Sequence, residues 1–144
     1  MPPPGRKPSL PEVLFFHTVS IQLYGDAAGV RDEESLLVAI ERPWQASFGR
    51  EHFASPFEKA AAALMESIIR RHPFVDGNKR TAMASASYLL STFGYEVEAE
   101  QQDLEDFAVR VAVGGLETKD IALWFEEHTC KTQKAGAPFG APAW

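Results

Sequence analysis

Apolar positions recur along residues 9–128 at helical spacing, and alternating strand-like runs are almost absent. Ser9-Leu10-Pro11-Glu12 has the spacing of a capping box, and Gly25 suits a helix C-terminus. The helix between them should bury Val13, Leu14, His17, Ile21 and Tyr24. Asp32 can cap a second helix through Leu36, Leu37 and Ile40 that must stop before Pro43. Ser55-Pro56-Phe57-Glu58 combines a cap, a first-turn proline and a glutamate three residues on, so a third helix should run to Arg71. A fourth should begin near Asn78 and end at Gly94, with a small, apolar interior suited to close packing. Leu104, Phe107, Ala108 and Val111 indicate a fifth, stopped by Gly114-Gly115, and Thr118 is the expected cap of a sixth. The pattern predicts an all-α fold, a single compact bundle of about six helices.

Proline placement marks the ends. Five of the ten prolines lie within residues 1–11, and Pro138 and Pro142 lie near the other end. Residues 1–8 and 129–144 therefore read as flexible tails around a domain at 9–128. A chain of 144 residues, 45% of them apolar, can bury a core unaided. Its net charge of −6 argues against direct nucleic-acid binding, which rewards a basic stripe. The single cysteine, Cys130, excludes an internal disulfide and a cysteine-based zinc site. No apolar run approaches the ~18 residues of a membrane span, and the first residues lack a signal peptide's apolar stretch. The expectation is a cytoplasmic protein with no membrane partner.

Chemistry concentrates between the third and fourth helices, in His72-Pro73-Phe74-Val75-Asp76-Gly77-Asn78-Lys79-Arg80. Pro73 breaks the incoming helix, Asp76-Gly77 turns, and the next helix starts at once. Free N–H groups and the positive end of a helix dipole form an anion site, and Gly77 allows close backbone approach. Lys79 and Arg80 place two cations in a first turn, where the dipole disfavours each by about 0.3–1 kcal/mol. A bound anion would reverse that penalty. Histidine titrates near neutrality, and His72 can take a proton from an attacking hydroxyl. Asp76 supplies the one carboxylate with which magnesium on phosphates is commonly held. Asn78 can cap the helix or hold a phosphate oxygen. Taken by composition alone, the plainer reading is stronger: a solvated helix end, a turn and surface charge.

The order of these residues shifts that balance, because residues 72–80 closely resemble the signature of the Fic/Doc superfamily in its Doc form. The resemblance extends through Tyr24-Gly25, Gly29-Val30-Arg31-Asp32, Leu36-Leu37, Ala39 to Pro43 and Glu58-Lys59-Ala60-Ala61, over about residues 9–126. It implies transfer of a phosphate-containing group from ATP to a protein hydroxyl. His72 would be the catalytic base, Asp76 the Mg2+ ligand, and Gly77, Asn78, Lys79 and Arg80 the phosphate and nucleotide cradle. The adenylylating form of the family has glycine in place of Lys79 and arginine in place of Met83. Both departures match the Doc form, a toxin that phosphorylates elongation factor Tu and is held by an antitoxin whose C-terminal segment folds on binding. The self-inhibitory helix found in some relatives is not matched: Ser47 to Glu51 and Thr92 to Glu96 have its first spacing, but His52 and Val97 spoil the next position. The alternatives are a Fic-type nucleotidyl transferase and a non-catalytic helical binding module.

Overall fold

The computed structural model describes residues 4–132 apart from Asp26. Six helices are found among the described residues. Helix α1, Leu10–Tyr24, starts with the reciprocal Ser9–Glu12 capping box and ends at Gly25, whose φ of 71° lets its N–H reach Ile21 O. Its buried face is Val13, Phe16, His17 and Ser20, with Leu14, Ile21 and Tyr24 only partly covered. The stripe is rotated from the expected one because Phe16 packs on Tyr88, at 5.5 Å between ring centroids, while His17 reaches the loop at 72–78. Helix α2, Glu33–Glu41, is capped by Asp32, and a 3-10 turn over Arg42–Trp44 takes up Pro43. Leu36 and Ile40 are buried, whereas Leu37 is exposed.

Strands β1, Ala46–Ser47, and β2, Arg50–Glu51, form a hairpin that the hydrophobic pattern did not reveal. Phe48 and Gly49 at its tip both have positive φ, the requirement of a two-residue turn matched to strand twist. Helix α3 opens at Pro56–Lys59 under the Ser55 cap, widens into a π-helical stretch over Ala60–Met65 and finishes as Glu66–Arg71. Ser67 donates to Ala62 O, five residues back, at 3.1 Å within that widened turn. α3 is the central element: α2 and two later helices, α4 (Asn78–Thr92) and α6 (Thr118–Glu127), pack around it. Ala60, Ala61 and Ala62 are wholly buried, and such small side chains let the neighbouring backbones approach.

Helix α5, Gln101–Val113, lies on α4 and ends at Gly114. α6 begins one residue earlier than expected, with Glu117 rather than Thr118 at the cap. The Glu117 N–H is satisfied by the Asp120 carboxylate, which leaves the Thr118 hydroxyl to donate to Glu66 at 3.0 Å. Strand β3, Tyr95–Val97, pairs with β4, Thr129–Lys131, so residues 129–131 pack on the body. Residues 133–144 and 1–3 lie outside the described residues. Arg6 holds Glu12 and the Tyr88 hydroxyl, and Lys7 pairs with Glu41 at 2.7 Å, so this part of the N-terminal segment also lies against the domain. No helix of the described residues is long and apolar enough to cross a membrane.

One buried charge ties the hairpin to the core. Lys59 is 3% exposed, and its ammonium group donates to Pro43 O, Phe53 O and the Glu51 carboxylate. Lys59→Ala leaves those acceptors without their donor and should cost about 3 kcal/mol of stability, read from urea unfolding midpoints. A loss below about 1 kcal/mol would show that water replaces the ammonium group freely.

Candidate active site

The loop between α3 and α4 is held from three sides. α3 ends at His72, which takes a left-handed conformation (φ 55°, ψ 54°) while its N–H still bonds Ile68 O at 3.0 Å. That geometry costs a non-glycine residue roughly 1–2 kcal/mol and turns the chain sharply. It leaves the imidazole exposed at the mouth of a cleft. Pro73 and Phe74 then dive into the core, with Phe74 wholly buried.

Asn78 closes the loop on itself. Its Oδ1 accepts from Phe74 N and its Nδ2 donates to Phe74 O, both at 3.0 Å. The side chain is therefore engaged in shaping the loop, and its backbone N–H, with that of Lys79, remains in the first helical turn where no intrahelical acceptor exists. His17 supports the loop from α1: its ring stacks on Phe74 at 3.9 Å and its Nε2–H donates to Asp76 O at 2.8 Å. Carbonyl oxygen only accepts, so that contact fixes the proton on Nε2. The sequence placed His17 on the buried face of α1, where the structure finds it, and the Asp76 carbonyl is the partner of its ring N–H.

The third side is the segment at 27–32. Arg31 and Asp32 donate their N–H groups to Pro73 O at 2.7 and 3.0 Å, and Val75 N donates to Gly29 O at 3.0 Å. The Arg31 guanidinium caps the end of α3, donating to His72 O at 3.0 Å and Arg71 O at 3.1 Å. The arginine thus meets the last carbonyls of α3, where the helix dipole favours a cation. Arg31 gave no local signal of this role, because its partners lie some forty residues away in sequence.

Asp76 follows on the exposed side. Backbone N–H groups of Gly77 (2.9 Å) and Ala27 (3.3 Å) bond its carboxylate, and with the nearby charges of Arg80 and Lys79 they hold its pKa below the usual aspartate value. Its contribution to loop stability is present above the ordinary pKa of 3.8 and is lost as the pH falls through the lowered one. Those two bonds leave about half of the carboxylate's acceptor sites open. Gly77, at φ 77°, precedes α4 with a backbone that a side chain would strain, and Arg80 lies over the Tyr24 ring at 3.9 Å.

These groups meet in one cleft of about 400 Å³, a size suited to a small ligand. His72, Asp76, Gly77, Asn78, Lys79 and Arg80 all line it, so every residue singled out in the sequence comes together. Met83 lines it further along α4, nearly buried, and among the described lining residues the only lysine and arginine are Lys79 and Arg80. α5 forms the opposite wall, including Glu105, which sequence reading missed. Trp44 packs partly into the core and Phe48 stands fully exposed at the hairpin tip; neither lines this cleft. Among the described residues no cluster of three or more His, Cys, Asp or Glu side chains could hold a metal ion alone. A single open carboxylate beside an anion cradle fits a magnesium ion that takes its remaining ligands from phosphate and water.

A helical domain with a cationic helix start, a histidine at the preceding helix end and one carboxylate between them is the architecture of a family of protein-modifying transferases. The sequence pattern of the Fic/DOC family matches residues 7–90, more than half of the chain, and the chain belongs to that family. It is 36% identical over 101 residues to the protein named Toxin Doc of Mycolicibacterium smegmatis, across 69% of this chain and 77% of that protein. It is 32% identical over 111 residues to the protein named Protein kinase doc of Escherichia phage P1, across 77% of this chain and 86% of that protein.

The Asn78 clamp has a measurable consequence. Asn78→Ala orphans a buried N–H and C=O on Phe74 and should lower the stability of the unliganded protein by about 2–3 kcal/mol. Exchange of the Phe74 amide hydrogen should quicken on the order of 100-fold. An unchanged exchange rate at Phe74 would show that the loop keeps its shape without the clamp.

Proposed function

We propose that this protein is a Doc-type toxin, an ATP-dependent kinase that moves the γ-phosphate of ATP to a serine or threonine hydroxyl of a translation factor. Elongation factor Tu is the target that the likeness to the Doc form favours, and an antitoxin whose C-terminal segment folds on binding is the expected restraint. The names of the two relatives support the toxin and kinase readings. The observation that carries the choice of transferred group is the cation distribution along α4. Adenylylation requires the α-phosphate at the reacting position and the outer phosphates gripped further along the helix. Met83, one turn beyond Arg80, offers no charge for that grip. Both cations lie in the first turn, where they hold the terminal phosphates beside His72.

The reaction follows from the residues in place. The N–H groups at the start of α4, with Lys79 and Arg80, bind phosphate oxygens and offset the like-charge penalty of that turn. Asp76 would hold Mg2+, which when bound neutralises charge on the phosphate oxygens. His72 accepts the proton of the target hydroxyl as the hydroxyl oxygen bonds the γ-phosphorus. The bond from that phosphorus to the β–γ bridging oxygen breaks, and ADP leaves with the electron pair. Fixing the end of α3 through Arg31 keeps the imidazole at the cleft mouth, where a protein substrate can reach it.

ATP labelled separately at the α and γ positions tests this with purified elongation factor Tu and with a bacterial lysate. The γ label should enter protein, with a mass gain of about 80 Da on the target, and His72→Ala should cut the rate by about 10²–10⁴-fold while leaving the fold intact. Transfer of the α label would make the protein a nucleotidyl transferase, and transfer of neither would leave a binding module.

A further inference from the structure

The α5 wall of the cleft is apolar with one exception. Leu104, Ala108, Val109 and Ala112 face the cleft at helical spacing, and Val109 is 49% exposed, an open apolar surface rather than packed core. Ala108 and Ala112 are small and leave room for a flat ring against the helix. Glu105 stands in the same stripe, half-buried. Among the described residues no lysine or arginine forms an ion pair with it, and its one hydrogen bond is a long contact of 3.3 Å from Gln101 Nε2 to Oε1. Its other carboxylate oxygen has no hydrogen-bond partner among the described residues.

A carboxylate in a cleft whose far side binds phosphate must stand away from the phosphate chain, since the two repel. Lys79 and Arg80 border the cleft at the first turn of α4, where the proposed function puts the phosphate end. The α5 stripe from Leu104 to Ala112 spans about 12 Å at 1.5 Å per residue, enough to separate a sugar and base from the phosphates. An acceptor-only group at the sugar end is suited to hydroxyl donors, as acidic residues that hold ribose in dinucleotide sites are. We infer that Glu105 is a specificity-determining residue of this cleft that accepts hydrogen bonds from the ribose 2′- and 3′-hydroxyls, while the base lies on the Ala108–Val109 surface. This assignment rests on the proposed use of ATP and names which end of the nucleotide the α5 wall reads.

Calorimetric binding of Mg-ATP, Mg-2′,3′-dideoxy-ATP, Mg-inosine triphosphate and Mg-tripolyphosphate to the wild-type chain and to Glu105→Ala and Glu105→Gln separates the outcomes. The wild type should prefer ATP to the dideoxy nucleotide by about 10- to 100-fold, the range for hydrogen bonds to a charged acceptor. That preference should vanish in Glu105→Ala and shrink in Glu105→Gln. Tripolyphosphate should bind all three proteins alike, which also shows that the variants keep an intact phosphate end. A sugar preference that survives in Glu105→Ala overturns the inference. So does loss of discrimination against inosine triphosphate alone, which would place the base amine at Glu105. If tripolyphosphate binds while the sugar arms show no effect of Glu105, the kinase reading stands and this assignment falls. If neither ATP nor tripolyphosphate binds the wild type, both fall.

Discussion

Everything in the cleft depends on one side chain binding the backbone of the residue four positions before it. By satisfying both polar groups of Phe74, Asn78 lets the loop bury a phenylalanine and still bring Asp76 and Gly77 back to the surface. Without that closure two backbone groups would be buried unpaired, at a cost of roughly 1–3 kcal/mol each. The clamp also sets where α4 begins, and hence where its free N–H groups point. Hydrogen-bond chemistry local to five residues thus decides where the first turn of α4 meets the cleft.

The clamp is reinforced from elements distant in sequence. His17 contributes a stacked ring and a hydrogen bond from α1, and Arg31 holds the last carbonyls of α3 from the connection before α2. Both act on the side of the loop that faces the protein, which leaves the other side open to a ligand. The strain at His72 is tolerated because its carbonyl, its N–H and the two residues after it are all fixed. Rigid backing with an open front suits phosphoryl transfer, where the protein contributes mostly positioning and charge.

Much of this was legible in the chain. Ser9, Asp32 and Ser55 announced helix starts because capping is a contact within three or four residues. The conflict between two first-turn cations and the helix dipole pointed to residues that the structure brings together in one cleft. What escaped reading depends on partners far along the chain. The register of α1 is set by Tyr88 and the loop, so Phe16 displaces Leu14 from the buried face. The Phe48-Gly49 hairpin lacks the usual asparagine-glycine signal, and β3 finds its partner more than thirty residues later. Glu105 looks like any solvated glutamate until α5 is laid against α4. Thr118 was legible as a polar residue at a helix start but not as the partner of Glu66, which is what moves the cap to Glu117.

A crystal structure with Mg2+ and a non-hydrolysable ATP analogue measures the central claim directly, because it shows which phosphate lies at the first turn of α4. The γ-phosphate should rest on the N–H groups of Asn78 and Lys79, with magnesium on Asp76 and the open face of the phosphorus toward His72. The α-phosphate in that position, with the outer phosphates running along α4 past Met83, would contradict the account.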